Sequence, residues 1–366
     1  MTPTLARWLL LIILFVVMVM EPQTVLVVQG QQQVPCLFVM GDSYSDNGNN
    51  NALFTLAKSN YPPYGIDFPQ GPTGRFCNGR LVPDFLAQFL GFEKPVPPFA
   101  TARGSEILKG VNYASAIAGI LDETGKIVGD RISLNRQLQN HQITISRLAL
   151  LLRNSSTTVN DYLRKCLYTV NMGTNDYIAN YFLPPLSPRT VLQTPDQFSV
   201  FLIQKYSHQL RTLYNSGARK IVVFGLGLLG CLPQELSTFP TNGSSCVDFV
   251  NNAVELFNNR LKPLVNDMNT NLPGAQFIYI NVTSISSGDL TSIGIRVVNA
   301  PCCVVLPIVG ICAPGKLVPC SNRNEYVFWD NIHPTEIVNM LAATRAYNAT
   351  TPSDAYPTDI GRLVQQ

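Results

Sequence analysis

One serine, one histidine and one aspartate in this chain stand where proton transfer could be organised. Ser43 lies in Gly41-Asp42-Ser43-Tyr44-Ser45, directly after the apolar run Val34 to Met40. A short apolar run stopped by glycine reads as a buried strand delivering a turn. His333 lies in Trp329-Asp330-Asn331-Ile332-His333-Pro334-Thr335-Glu336. Pro334 and Glu336 suit the first turn of a helix, which puts His333 at its mouth. Asp330, three residues earlier in a loop, can fold onto one imidazole nitrogen and fix the tautomer, leaving the other nitrogen to take a proton from a hydroxyl. The chemistry this predicts is acyl transfer: Ser43 as nucleophile, His333 as base, Asp330 as its orienter. An oxyanion also needs donors. The expected ones are the Ser43 backbone N–H, a backbone N–H at Ile117 in the small-residue turn Ala116 to Gly119, and the Asn175 side chain in Gly173-Thr174-Asn175-Asp176. The elbow G-x-S-x-G is absent, because Ser45 stands at its closing glycine, and this argues against the α/β-hydrolase arrangement.

The remaining histidines, His141 and His208, sit in helical patterns rich in Gln, Leu and Arg, where packing or solvent-facing roles are expected. No metal site is expected, since histidine ligands would have to cluster and C-x-x-C does not occur. No cofactor is expected either. Gly225-Leu226-Gly227-Leu228-Leu229-Gly230 matches a dinucleotide fingerprint, but Cys231-Leu232-Pro233 follows where a helix should open for the pyrophosphate.

The elements that must carry these residues alternate in type. Apolar runs at Val34–Met40, Gly110–Ser115, Leu167–Met172, Lys220–Phe224 and Gln276–Val282 read as strands. Helical patterns cover Pro83–Leu90, Leu134–Arg153, Asp248–Asn271 and the stretch from Pro195 to about Asn215, which Thr194 caps. This is the signature of a parallel sheet covered on both faces. In such sheets ligands sit at the carboxyl ends of strands, where Ser43, Ile117 and Asn175 all fall.

Net charge is +3 and charged residues make up 13%, with no dense basic run, so a nucleic-acid partner is not expected. Arg7 precedes the apolar run Trp8–Met20, which Glu21 ends. Thirteen residues is short for a membrane span and suits a signal peptide over residues 1–30, with the small residues of Val28-Gln29-Gly30 at the cleavage point. Residues 31–366 then form one secreted domain, with no stable membrane span once the signal is removed. Asn154, Asn242, Asn281 and Asn348 open Asn-X-Ser/Thr sequons, expected to be N-glycosylated. Nine cysteines fit an oxidising compartment, and the odd count leaves at least one unpaired.

Five blocks in order give the chain a family likeness: Gly41-Asp42-Ser43, Pro72-Thr73-Gly74-Arg75-Phe76, Gly110-Val111-Asn112-Tyr113-Ala114-Ser115, Gly173-Thr174-Asn175-Asp176 and Asp330-Asn331-Ile332-His333-Pro334. Together they resemble the plant-type GDSL esterases/lipases of the SGNH hydrolase superfamily over nearly all of the mature chain. The resemblance implies an α/β fold: a flavodoxin-like three-layer α/β/α sandwich with a five-stranded, mainly parallel sheet. It implies the same roles for Ser43, Asp330, His333 and Asn175, and an ester or lipid as substrate. It also suggests pairing of Cys231 with Cys246 and pairing within Cys302, Cys303, Cys312 and Cys320. The chain departs from the family at Tyr44 (usually Leu), Met40 (commonly aromatic), Ile117 (often Gly or Ala), and Val304 after the vicinal cysteines (usually Gly). The leading expectation is ester hydrolysis through an acyl-enzyme. The alternatives are an acyltransferase using the same intermediate, or a catalytically silent secreted binding protein.

Overall fold

The computed structural model describes residues 31–183, 192–307, 309–315 and 318–366. The expected signal peptide lies outside these residues. Four parallel strands lie in the order β1 (Leu37–Gly41), β2 (Leu167–Asn171), β3 (Lys220–Phe224) and β4 (Gln276–Ile280). They are in step: Gly41 pairs with Asn171, Asn171 with Phe224, and Phe224 with Ile280. Their carboxyl ends therefore share one rim, and the loops after β1 and β2 open together.

Alternation along the strands divides the core in two. Phe38, Met40, Tyr168, Val170, Ile221 and Val223 point to one face, against α2 (Leu134–Leu152), α4 (Pro195–Asn215) and α5 (Asp248–Asn271). Leu37, Val39, Leu167, Val222, Ile278 and Ile280 point to the other, against α1 (Val82–Phe89), α6 (Glu336–Tyr347) and α7 (Ile360–Gln365). A strand buried on both faces must be apolar throughout, which is why these segments read as unbroken runs. The molecule is a three-layer α/β/α sandwich. A further helix, α3 (Val159–Lys165), leads into β2.

The sheet has five strands, but one differs from expectation. Residues 110–115 run beside β1 through three bonds, Val39 N–H to Val111 O, Tyr113 N–H to Val39 O and Ser115 N–H to Gly41 O, yet make only isolated bridges. Pro97 and Pro98 occupy the other side of Asn112, whose amide turns away to donate to the Ser45 carbonyl. The fifth strand is instead β7 (Ala355–Tyr356), antiparallel to β4. Two residues followed by proline carry no readable period.

A second, two-stranded sheet pairs β5 (Val297–Pro301) with β6 (Tyr326–Phe328). Between them lies a loop stapled by Cys302–Cys320 and Cys303–Cys312. Cys231–Cys246 closes a third bridge, and Cys36–Cys166 ties the start of β1 to the start of β2. The last pair is one the sequence did not suggest. Cys77 is the free thiol, and it is buried.

Candidate active site

The turn after β1 is gripped from below. The Gln137 amide, from α2, accepts from the Gly41 N–H at 3.0 Å and donates to the Gly41 carbonyl at 2.8 Å. A side chain at Gly41 would meet the Asn171 carbonyl at 2.9 Å, so only glycine lets β1 and β2 approach this closely before the turn. The Asp42 carbonyl accepts from the N–H groups of Ser45 and Asp46, curling the chain into one turn that lifts Ser43. Asp42 itself is fully buried. Its Oδ1 accepts from the Tyr44 N–H at 3.0 Å, while Oδ2 has no hydrogen-bond partner among the described residues. Burial pushes this carboxyl up to about 7, against the pull of the Tyr44 N–H and the nearby His333. Because Asp42 occupies the Tyr44 N–H, the donor that an α/β-hydrolase would use after its nucleophile is taken. Among the described residues, no hydrogen bond engages the Ser43 N–H.

His333 arrives from the opposite end of the chain, and a small set of backbone bonds sets its place. The Trp329 N–H donates to the His333 carbonyl, Cys303 N–H to the Trp329 carbonyl, and Asn331 N–H to the Gly310 carbonyl. The stapled loop thus holds the Asp330–His333 turn. His333 Nε2 lies 2.7 Å from Ser43 Oγ, and Nδ1 lies 2.8 Å from Asp330 Oδ2 and 2.9 Å from Oδ1. Residues 290 apart in sequence meet here. Asp330 Oδ1 also accepts from the N–H groups of Ile332 (2.9 Å) and His333 (2.7 Å). Asp330 Oδ2 accepts from the Tyr64 hydroxyl at 2.6 Å, and that hydroxyl in turn accepts from the Cys312 N–H at 3.0 Å. These donors satisfy both oxygens of a buried carboxyl and fix its orientation toward the imidazole.

The imidazole packs against two aromatic rings, Phe76 at 4.8 Å and Tyr44 at 5.6 Å between centroids. Phe76 is fixed by its neighbour Arg75, whose guanidinium makes a two-pronged, buried pair with Asp84 of α1, both contacts at 2.8 Å.

Two of the expected oxyanion donors lie on loops that are tied together. Asn175 Nδ2 donates to the Ala118 carbonyl at 2.9 Å, tying the loop after β2 to the turn that holds Ile117. Ile117 has φ +60°, a left-handed conformation that β-branched residues rarely adopt. Two carboxylates enforce it. Asp46 Oδ2 accepts from the Ala116 N–H on one side, and Asp176 accepts from the N–H groups of Ile120 and Leu121 and from the Thr124 hydroxyl on the other. Burial pushes both up to about 6 despite these donors. The Ile117 side chain lies over Gly125, where a Cβ would meet it at 2.7 Å. Among the described residues, no hydrogen bond takes the Ile117 N–H.

Sequence reasoning named Ser43, Asp330, His333, Ile117 and Asn175, and the structure brings the first three into direct contact. It missed Tyr64, Phe76, Gln137, Asp46 and Asp176. Tyr64 stood in an aromatic, proline-rich loop assigned to packing; a hydroxyl beside two prolines gives no sign of a partner 266 residues away. His141 is core: its ring packs against Phe38, Tyr113 and Tyr168, and burial lowers it to about 3. His208 is exposed. Among the described residues, no group of three or more His, Cys, Asp or Glu is placed to hold a metal ion.

The family model described as GDSL-like Lipase/Acylhydrolase matches residues 37–345. The chain belongs to that family. A GDSL esterase/lipase of Arabidopsis thaliana is 50% identical over 342 residues, covering 92% of this chain and 93% of the relative. A second from the same plant is 44% identical over 356 residues, covering 96% and 98%. As a member of this family the chain is an ester hydrolase, and its mixed sheet between two helical layers is the family's sandwich.

Proposed function

We propose that this chain is a secreted serine esterase or lipase that cleaves carboxylic esters of lipids or acylated small molecules through an acyl-enzyme. The observation that carries the reading is the unbroken contact Ser43 Oγ to His333 Nε2 (2.7 Å) and His333 Nδ1 to Asp330 (2.8 Å). In this reading Ser43 Oγ attacks the ester carbonyl while His333 Nε2 takes its proton. The oxyanion accepts from the N–H groups of Ser43 and Ile117 and from the Asn175 amide. The C–O bond to the alcohol then breaks, and His333 returns the proton to the leaving oxygen. Water repeats the sequence on the acyl-enzyme and frees the acid. Asp330 holds the imidazole in the accepting tautomer and steadies the imidazolium.

Secretion rests on the leader-like residues 1–30, on four disulfides among the described residues, and on the sequons. Asn154, Asn242 and Asn348 are exposed, whereas Asn281 is half-buried and caps a short helix through the Ser284 N–H. Among the described residues, no helix is long and apolar enough to cross a membrane.

The test is hydrolysis of p-nitrophenyl butyrate by protein secreted from a eukaryotic host. Ser43→Ala is expected to lower kcat by about 10⁴-fold or more with little change in thermal midpoint. Wild-type turnover in Ser43→Ala would overturn the assignment. An added alcohol that captures most of the acyl group would replace hydrolysis with transfer.

A further inference from the structure

Beside the triad lies a cavity of about 420 Å³ that the mechanism leaves unused. It sits over the carboxyl ends of β3 and β4, with walls that include Leu226, Leu229, Leu232, Val282, Ile285 and Val338. The glycine-rich loop after β3 makes its floor. A side chain at Gly225 would strike the Tyr279 hydroxyl at 2.7 Å, and one at Gly227 would reach Val282 at 3.5 Å. The first glycine of the motif that resembles a nucleotide fingerprint thus lets the strand-end loop pack closely on Tyr279. Ser43, Asn175 and His333 do not line the cavity, but a neighbour of each does: Tyr44, Thr174, and the pair Ile332 and Pro334. Tyr44 is the bulkiest side chain of this partition, and its hydroxyl donates to the Ile332 carbonyl at 3.0 Å. One hydrogen bond therefore latches the wall between nucleophile and cavity.

We propose that this cavity receives the acyl chain of the ester, and that Tyr44 is a specificity-determining residue controlling passage from Ser43 into it. The inference rests on the Ser43 acyl-enzyme proposed above. An apolar chamber one residue away from both nucleophile and base is matched by a hydrocarbon attached to the carbonyl carbon. Taking a methylene as comparable to a water molecule's share of ~30 Å³, the space holds on the order of ten carbons. Each methylene that enters should raise kcat/KM by about fourfold until the space is full. The substrate class is medium-chain fatty acyl esters.

The experiment compares p-nitrophenyl esters from C4 to C12, and separately acetate esters of C4 to C12 alcohols. Wild type, Tyr44→Phe, Val282→Phe and Leu228→Phe are assayed, with fluorophosphonate labelling of Ser43 on each. Tyr44→Phe, which frees the latch, is expected to raise the C10/C4 ratio of kcat/KM at least threefold. Val282→Phe, which fills the chamber, is expected to lower that ratio at least tenfold. Leu228→Phe repeats the filling from the loop after β3 should Val282→Phe fail to fold. Ratios unchanged in the filled variants, with Ser43 still labelled, overturn the cavity assignment alone. A response confined to the alcohol series overturns the acyl assignment. Absence of Ser43-dependent turnover in every protein overturns the underlying mechanism instead.

Discussion

Replacing Asp330 by Asn is the perturbation whose outcome follows most closely from the geometry. Oδ1 of Asp330 accepts from two backbone N–H groups, those of Ile332 and His333. Neither donor can turn away, so the amide oxygen of Asn must take the Oδ1 position. The NH₂ group then takes the Oδ2 position, 2.8 Å from His333 Nδ1, and it can only donate. The only acceptor left to an Nδ1 proton would be Oδ1 at 2.9 Å, already shared by two backbone N–H groups, so the tautomer with Nδ1 as acceptor is favoured: the proton moves to Nε2, which donates to Ser43 Oγ instead of accepting from it. Volume is nearly preserved and the Tyr64 hydroxyl, which donated to Oδ2, must turn to accept instead, while the base is lost. An inverted tautomer of this kind lowers kcat by about 10⁴-fold, which is about 5 kcal/mol of transition-state stabilisation. The assay is kcat and KM on a short ester, beside a thermal melt. The expected result is a collapse in kcat, a KM within a few-fold of wild type, and a midpoint that moves by only a few degrees. An Asp330→Asn enzyme within tenfold of wild-type kcat would refute the assigned tautomer.

Three further outcomes follow. Tyr64→Phe removes one donor of several from Asp330, so kcat should fall by only about tenfold with KM unchanged; a loss as deep as that of Asp330→Asn would show the hydroxyl to be more than a positioning group. Stability should decline as pH rises from about 4 to 7, because burial lifts Asp46 and Asp176 to about 6 and Asp42 to about 7, above their unfolded values. Protonation stabilises such groups, and that contribution is lost as pH climbs through the folded values. Asp42→Asn should flatten the upper part of this decline in thermal midpoint, and an unaltered profile would contradict it. Asp354 works in the opposite sense. Burial opposes its charge, yet Arg345 and the Thr351 and Thr350 donors outweigh it and hold the carboxyl well below the usual range, so its contribution disappears only in strong acid. Finally, Ellman's reagent should find no thiol in the native protein and one per chain in guanidinium. Cys77 is buried, and burial pushes its thiol up, while the other eight cysteines are bridged. Two or more titratable thiols after unfolding would contradict the pairing.

Much of the frame was legible because the signals were local. The runs Leu167–Met172 and Lys220–Phe224 are apolar on both faces, and β2 and β3 fall on them. Thr194 with Pro195 marked the start of α4, where the Thr194 hydroxyl does accept from the Gln197 N–H. Asp330 and His333 were legible as a pair because only two loop residues, Asn331 and Ile332, separate them. Features that depend on distant partners were not. Gln137 looks like any polar residue in a helix, yet it grips Gly41 from 96 residues away. Tyr64 and Phe76 act on the Asp330–His333 turn only because the chain returns there. The stretch 110–115 had the composition of a strand but meets prolines on its outer side, and β7 was too short to announce itself. The left-handed backbone of Ile117 is imposed by Asp46 and Asp176 rather than by its own preference, so its residue type gave no hint of it.

Covalent labelling tests the role of Ser43 most directly. The folded, secreted protein is treated with a fluorophosphonate, and the adduct is mapped by peptide mass spectrometry. The account predicts one adduct per chain, on Ser43, absent from Ser43→Ala and formed far more slowly in His333→Ala. An adduct on another serine, or none on a protein that melts cooperatively and cleaves esters, would contradict it.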